Sequence, residues 1–244
     1  MGPIDVPEPT ARLQRTRLTA GVTRARAQTA MTPALQPTAY SVSFTAASLR
    51  PDLARIVAEG YLELRDWDAS RERILAGNLL QARSRASAIR REQEFRLRLQ
   101  TLTIDQLRIL AEETADARRA IAWLSVLKHS PFVFALARDA LRLKLATHDA
   151  TLRPSDYERF FDGEAAAHPE LAALTASTRA KIRQVTLRML REAGILPPLA
   201  RDFSLVRPVI PGVALSAILE DDPHWLAGFL VPDDEIARLQ GLHP

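Results

Sequence analysis

Apolar residues recur at helical spacing along most of the chain, and that pattern predicts a succession of helices. Tyr40, Val42 and Phe44 alternate with small polar residues, as in a short strand or an extended lead-in. Thr45 or Ser48 then opens a helix whose inward positions are Leu49, Leu53, Ile56, Val57 and Tyr61. A second helix follows from Trp67 to Leu80, with Trp67, Ile74, Leu75 and Leu79 inward, and a third over 84–100 around Ile89, Phe95 and Leu99. Thr103 followed by Gln106 has the spacing of a capping box, in which two side chains satisfy each other's free backbone donors, and starts a fourth helix. Residues 116–128 and 131–147 make a fifth and a sixth. Pro131 sits in the first turn of the sixth, where its missing N–H costs nothing. Six helices on short links make a compact helical bundle over 39–150.

The pattern changes character over 151–212. Ser155 with Glu158 is a second capping-box spacing, and Tyr157, Phe160 and Phe161 supply that helix with an apolar face. A second short helix after His168-Pro169 carries Leu171 and Leu174. A third runs from Ser177 to Ala193 and stops at Gly194, a residue suited to the left-handed position beyond a helix. Its residues Ile182, Val185, Met189, Leu190 and Ala193 fall on one side at 100° per residue. Three such helices followed by apolar runs at 203–206 and 209–210 match a winged helix-turn-helix-like domain, with the two runs as a hairpin wing. Pro208 and Pro211 reduce that wing to an edge or irregular ribbon. Three short helices, Val213–Leu219, Pro223–Leu230 and Asp233–Leu239, then pack on the body as the C-terminal part, 213–244. The fold class expected is therefore mainly α.

Composition agrees with helices. Ala, Leu and Arg dominate and glycine occurs 9 times, which favours helix interiors. Residues 1–38 break the pattern. Arg12, Arg15, Arg17, Arg24 and Arg26 stand against Asp5 and Glu8, large apolar residues have no period, and a disordered basic arm is expected. Such an arm either touches nucleic acid or is an upstream extension without a role, with Met31 as a candidate start; the second is preferred. Cysteine is absent, which excludes disulfides, thiol catalysis and cysteine-ligated zinc. The longest apolar runs, 121–127 and 212–215, fall far short of the roughly 20 residues that span a bilayer, and no apolar leader is present. A cytoplasmic protein without membrane contact is expected.

Chemistry is sparse. Phosphate-loop, dinucleotide, H-E-x-x-H and G-x-S-x-G motifs are missing, and the five histidines are scattered. Neither enzymatic activity nor a cofactor is expected. Asp221, Asp222 and His224 resemble metal ligands only loosely, since acids at helix starts are explained by the helix dipole.

What remains is charge. The net charge is +4, and its placement matters more than its total. Between Thr178 and Arg191 there are five cations and no acid. Phosphate contact requires such a strip, because each neutralised phosphate releases counterions. Ser177, Thr178, Lys181 and Gln184, near the helix start, are the candidates for base or near-base contacts, since Arg, Lys and Gln match groove edges. Arg188 and Arg191 suit the backbone, Arg179 and Arg183 flank the apolar stripe, and Arg201 and Arg207 add contacts from the wing. Cations outnumber base-reading side chains, so weakly specific binding is expected. The alternatives are a solvated face or a protein–protein module. The arginines of 84–100 have the same two readings: a second phosphate surface, or a solvated face paired with Glu92 and Glu94, the latter preferred.

Three stretches carry a family resemblance: NLLQARSRASAIRREQEFRLRLQTL at 78–102, ARRAIAWLSVLKHSPFVFALARDALRLKL at 117–145 and WLAGFLVPDDEI at 225–236. From Tyr40 to the C-terminus the chain resembles the BrxA family of bacteriophage-exclusion (BREX) defence systems. The resemblance implies a small, non-enzymatic, largely helical component, encoded with a methyltransferase, a phosphatase-like protein and an ATPase. It also implies a bundle like that of the RNA-binding antitermination factor NusB, and nucleic-acid binding. Double-stranded DNA is the expected partner ahead of RNA, with other BREX subunits as further partners. A scaffold within the defence complex and a NusB-like RNA-binding factor are the alternatives.

Overall fold

The computed structural model describes Gly2, Tyr40 and residues 43–199, 201 and 203–242. The basic arm over 1–38, and Val42 of the lead-in, lie outside the described residues apart from Gly2. Residues 37–244 form one compact unit.

A 3-10 turn, Ser43–Ala46, precedes α1 (Pro51–Leu64). The expected start at Thr45 or Ser48 is displaced to Pro51. Proline disfavours a right-handed helical conformation in the residue before it, and Arg50 is left-handed with φ 41°. Leu49 is buried ahead of the helix rather than within it. α2 (Trp67–Ala76) is capped by Asp66, whose carboxylate accepts from the N–H groups of Asp68 at 2.8 Å and Ala69 at 3.0 Å. It ends at Gly77, short of the expected Leu80, so Leu80 is buried in the following turn and Leu79 is the exposed one.

α3 (Arg85–Leu99) starts on Ser84, and α4 (Ile104–Glu112) on the expected capping box, with both reciprocal bonds formed at 3.1 and 3.2 Å. α5 (Ala115–His129) meets the helical segment Pro131–Ala146 at a bend of 111°. That segment comprises α6 (Pro131–Ala135), a π-helical stretch Leu136–Leu141 and α7 (Arg142–Ala146). α8 (Pro154–Ala167), α9 (Pro169–Ala172) and α10 (Ala176–Glu192) follow, then α11 (Gly212–Asp221), a 3-10 helix Pro223–Phe229 and α12 (Asp233–Leu242). Among the described residues no single helix is long and apolar enough to cross a membrane.

α5 is the axis of the core. Ile121, Trp123, Leu124, Val126 and Leu127 are all buried, and the Trp123 indole donates to the Gly228 carbonyl at 3.0 Å. Phe132 on α6 meets Phe160 and Phe161 of α8 at 5.5 and 5.7 Å between centroids. One continuous apolar cluster therefore runs from Ala47 to Ile236.

Two expectations near α10 are corrected. α8 starts at Pro154, and its first free donors are met by Asp156, whose carboxylate accepts from the Arg153 N–H at 2.9 Å, rather than by Ser155 with Glu158. The hairpin wing over 203–210 is not formed among the described residues. The backbone of 203–206 is already engaged elsewhere. Leu152 donates to Phe203 at 2.9 Å, Leu205 to Ala150 at 2.6 Å and Val206 to Ile195 at 2.9 Å, around an isolated Thr151–Ser204 bridge. Beyond it Pro208 and Pro211 have no N–H to give a second strand.

Candidate nucleic-acid interface

α10 is a 17-residue helix capped by Thr175, whose hydroxyl accepts from the Thr178 N–H at 3.2 Å. Ile182, Val185, Met189, Leu190 and the following Ala193 are buried, as the periodicity requires, and Gly194 takes φ +79°. This inner stripe fixes which side chains face out.

The nine expected site residues divide into two groups. Ser177, Lys181, Gln184 and Arg188 are exposed on the outward face, and Thr178 is half-buried at its start. Lys181 donates to Gln184 at 3.3 Å and Arg188 to Glu192 at 3.0 Å, both within α10. The other four are engaged across elements. Arg179 pairs with Asp162 and lies over the Phe161 ring at 4.3 Å. Arg183 pairs with Glu158 at 3.2 Å. These two tie α10 to α8. Arg191 lies 5.0 Å from the Phe203 ring centroid and donates to the Leu187 carbonyl at 3.4 Å. Arg207 is not brought to α10 at all; it pairs with Glu235 of α12 at 2.7 Å.

The outward face of α10 borders a cleft that the sequence did not disclose. A space of about 480 Å³ lies between Lys181, Thr45, Ala46 and the α3 residues Ser87, Arg90 and Arg91. A smaller one of about 170 Å³ shares Thr45, Ala46, Arg91 and Lys181 with it and reaches Arg50 and Arg188. Among the described residues five cations thus line the two spaces, and no acidic side chain does. Arg91 is fixed by donating to the Leu80 carbonyl at 2.8 Å. Among the described residues Arg90 has no ion pair.

The preferred reading of α3 as a solvated face with local pairs to Glu92 and Glu94 holds for the pairs, and is corrected for the solvation of the acids. Glu92 and Glu94 are buried. Glu92 pairs with Arg96 at 3.1 Å and Arg71 at 3.6 Å, and its burial raises its pKa despite them. Glu94 pairs with the wholly buried Arg98 at 2.8 Å. The acids therefore turn to the core, and Arg90 and Arg91 are left to the cleft. Arg98 also donates to the carbonyls of Ala47 at 2.7 Å and Ser48 at 2.9 Å, which holds the segment before α1 against α3. From the other side Glu192 accepts from the Ser48 hydroxyl at 3.0 Å and the Arg50 N–H at 3.2 Å. The only sequence signal for this second wall is the density of arginine on α3. Arg50 carries none.

Two other places contrast with it. A space of about 490 Å³ beside the π-helical stretch is lined by Arg138, Arg142 and Arg207, but each is paired, with Asp139 at 2.6 Å, Asp233 at 2.5 Å and Glu235 at 2.7 Å. Asp222 is the cap of the 3-10 helix, accepting from the His224 N–H at 3.0 Å, while Asp221 pairs with Lys128 at 2.7 Å.

The BrxA family profile matches residues 38–222. The BREX protein BrxA of Escherichia coli O9:H4 (strain HS) is 28% identical over 141 residues, 58% of this chain. That match spans 66% of the relative's own length, just under two thirds. The crystal structure of an uncharacterized protein from Magnetospirillum magneticum is similar with a TM-score of 0.70 at 20% identity, over 78% of this chain and 97% of that one. At that identity the likeness shows a common fold.

Proposed function

The chain belongs to the BrxA family, and on that premise we propose that it is a non-enzymatic, nucleic-acid-binding accessory component of a bacterial BREX anti-phage defence system. α8, α9 and α10 act as a helix-turn-helix-like unit with α10 in the recognition position, on a NusB-like body formed by the earlier helices. The ligand is double-stranded DNA ahead of RNA, held mainly by its phosphates in the cytoplasm, with other BREX subunits as further partners.

One observation carries this reading. Packing consumes Arg179 and Arg183 on α8 but leaves Lys181, Gln184 and Arg188 exposed on a face where, among the described residues, Glu192 is the acid paired and no acid lines the adjoining spaces. A face with that charge attracts polyanions and releases their counterions. With no hairpin beside it among the described residues, the grip comes from α10 itself.

The test is a gel-shift series over salt with duplex DNA and duplex RNA. Lys181→Ala with Arg188→Ala is expected to lower the slope of log K against log salt by about 1.8, and affinity near 0.1 M salt by about fiftyfold. Arg179→Ala with Arg183→Ala is expected to weaken the protein and leave that slope nearly unchanged. Binding that ignores the first pair sinks the assignment. No binding near 0.15 M salt, a screening length of about 8 Å, favours the scaffold instead.

A further inference from the structure

We propose that the cleft between α10 and the start of α3 is a two-walled site for one phosphodiester strand, with Arg90 and Arg91 forming the wall opposite Lys181 and Arg188. The proposal rests on the reading of α10 as a nucleic-acid-binding face and adds a second element to it.

The argument begins with charge. Arg50, Arg90, Arg91, Lys181 and Arg188 converge on two adjoining spaces whose linings, among the described residues, contain no carboxylate. Like charges held together in this way repel, and an anion between them relieves the repulsion. Arg91 and Arg188 are also held by their side chains, and Arg50 by its backbone. Arg91 is anchored on the Leu80 carbonyl, and Glu192 grips Arg188 and the backbone of Arg50 at once. The segment 47–50 that carries Arg50 is pinned by Arg98 from α3 and by Glu192 from α10. Fixed donors of this kind bind with less loss of side-chain freedom.

Shape and chemistry then select the ligand. A space of about 480 Å³ with an extension of about 170 Å³ accepts one strand and does not enclose a duplex. The remaining described lining is small and polar or aliphatic: Thr45, Ala46, Ala47, Ser48, Ser87 and Val185. Among the described residues no aromatic side chain lines it, so these offer bases no stacking platform, and the recognition proposed is of phosphate. Such a strand belongs either to single-stranded nucleic acid or to one backbone of a duplex lying across the cleft.

The experiment uses the full chain and a labelled single-stranded DNA and its duplex, each titrated over a salt series. Arg90→Glu is the central variant, because Arg90 is exposed and makes no ion pair among the described residues. Arg90→Lys preserves the charge, and Arg90→Ala keeps the outcome readable should the reversed charge disturb α3, as a thermal melt would show. Arg83→Glu, which lies outside the cleft, is the control for net charge. The expected result for Arg90→Glu is a loss of about tenfold near 0.1 M salt, with a slope smaller by about 0.9 on duplex or about 0.7 on single strand. Arg90→Lys and Arg83→Glu should bind nearly as the parent does. Loss confined to one probe assigns the strand to that source, and loss on both assigns the shared backbone. If Arg90→Glu binds both probes normally while Lys181→Glu fails, the second wall is wrong and the α10 reading stands. If neither variant weakens binding, both are overturned.

Discussion

At the scale of single residues, the same side chain type does opposite work. Arg98 has the sequence context of a surface arginine, yet it is the second-largest fully buried side chain, with Glu94 and two backbone carbonyls as partners. Removing one partner of a buried pair strands the other. Arg98→Ala is expected to cost about 3–5 kcal/mol in urea denaturation. Adding Glu94→Ala should cost less than the sum of the single changes, and strict additivity would sink the coupling. Arg90, eight positions earlier, has no such partner and should be neutral to stability. Periodicity does not separate these two, because an arginine-rich helix shows few apolar positions by which to orient it. On α10 the clear apolar stripe does orient the helix, and Lys181 and Arg188 were legible as outward. That Arg179 and Arg183 are spent on Asp162 and Glu158 was not legible, since the acids come from another helix.

At the scale of elements, local chemistry set most boundaries. The Thr103–Gln106 box, Pro131 in a first turn and Gly194 after α10 stand where their spacing put them. Failures arose where two local signals competed. Pro51 overrode the hydroxyls of Thr45 and Ser48, and Asp156 overrode Ser155 with Glu158. The joint between α7 and α8 makes a pH prediction. Asp149 accepts from Lys144 at 2.6 Å and Arg153 at 2.7 Å, and these bonds hold its pKa down to about 2. As pH falls, the unfolded chain takes up this proton before the folded one does, because a free aspartate titrates near about 3.9. The stabilising contribution is therefore complete above that pH and disappears between about 4 and about 2. Asp149→Asn is expected to flatten the decline of stability in that window and to have its effect mainly above it. An unchanged acid limb by thermal melts would contradict the assignment.

At the scale of the whole molecule, residues far apart in sequence share one interior. Ala47, Trp123, Phe161, Met189 and Ile236 belong to the same apolar cluster, and Trp123 reaches the Gly228 carbonyl. A shared core of this kind predicts one cooperative thermal transition for the described body, with calorimetric and van't Hoff enthalpies equal. Two resolved transitions would mean that the helices before and after residue 150 fold apart. The sequence by itself determined that the chain is mainly helical, where most helices lie and which side of α10 is apolar. It could do so because capping and amphipathic spacing act within a few residues. Three of its stretches also pointed to the BrxA family. Only the tertiary structure decided that 203–206 pairs with 150–152 instead of folding on itself. It alone set Arg50, Arg90 and Arg91 across from Lys181 and Arg188. Those outcomes depend on which distant groups compete for a donor or a counter-charge, and no local period records that competition.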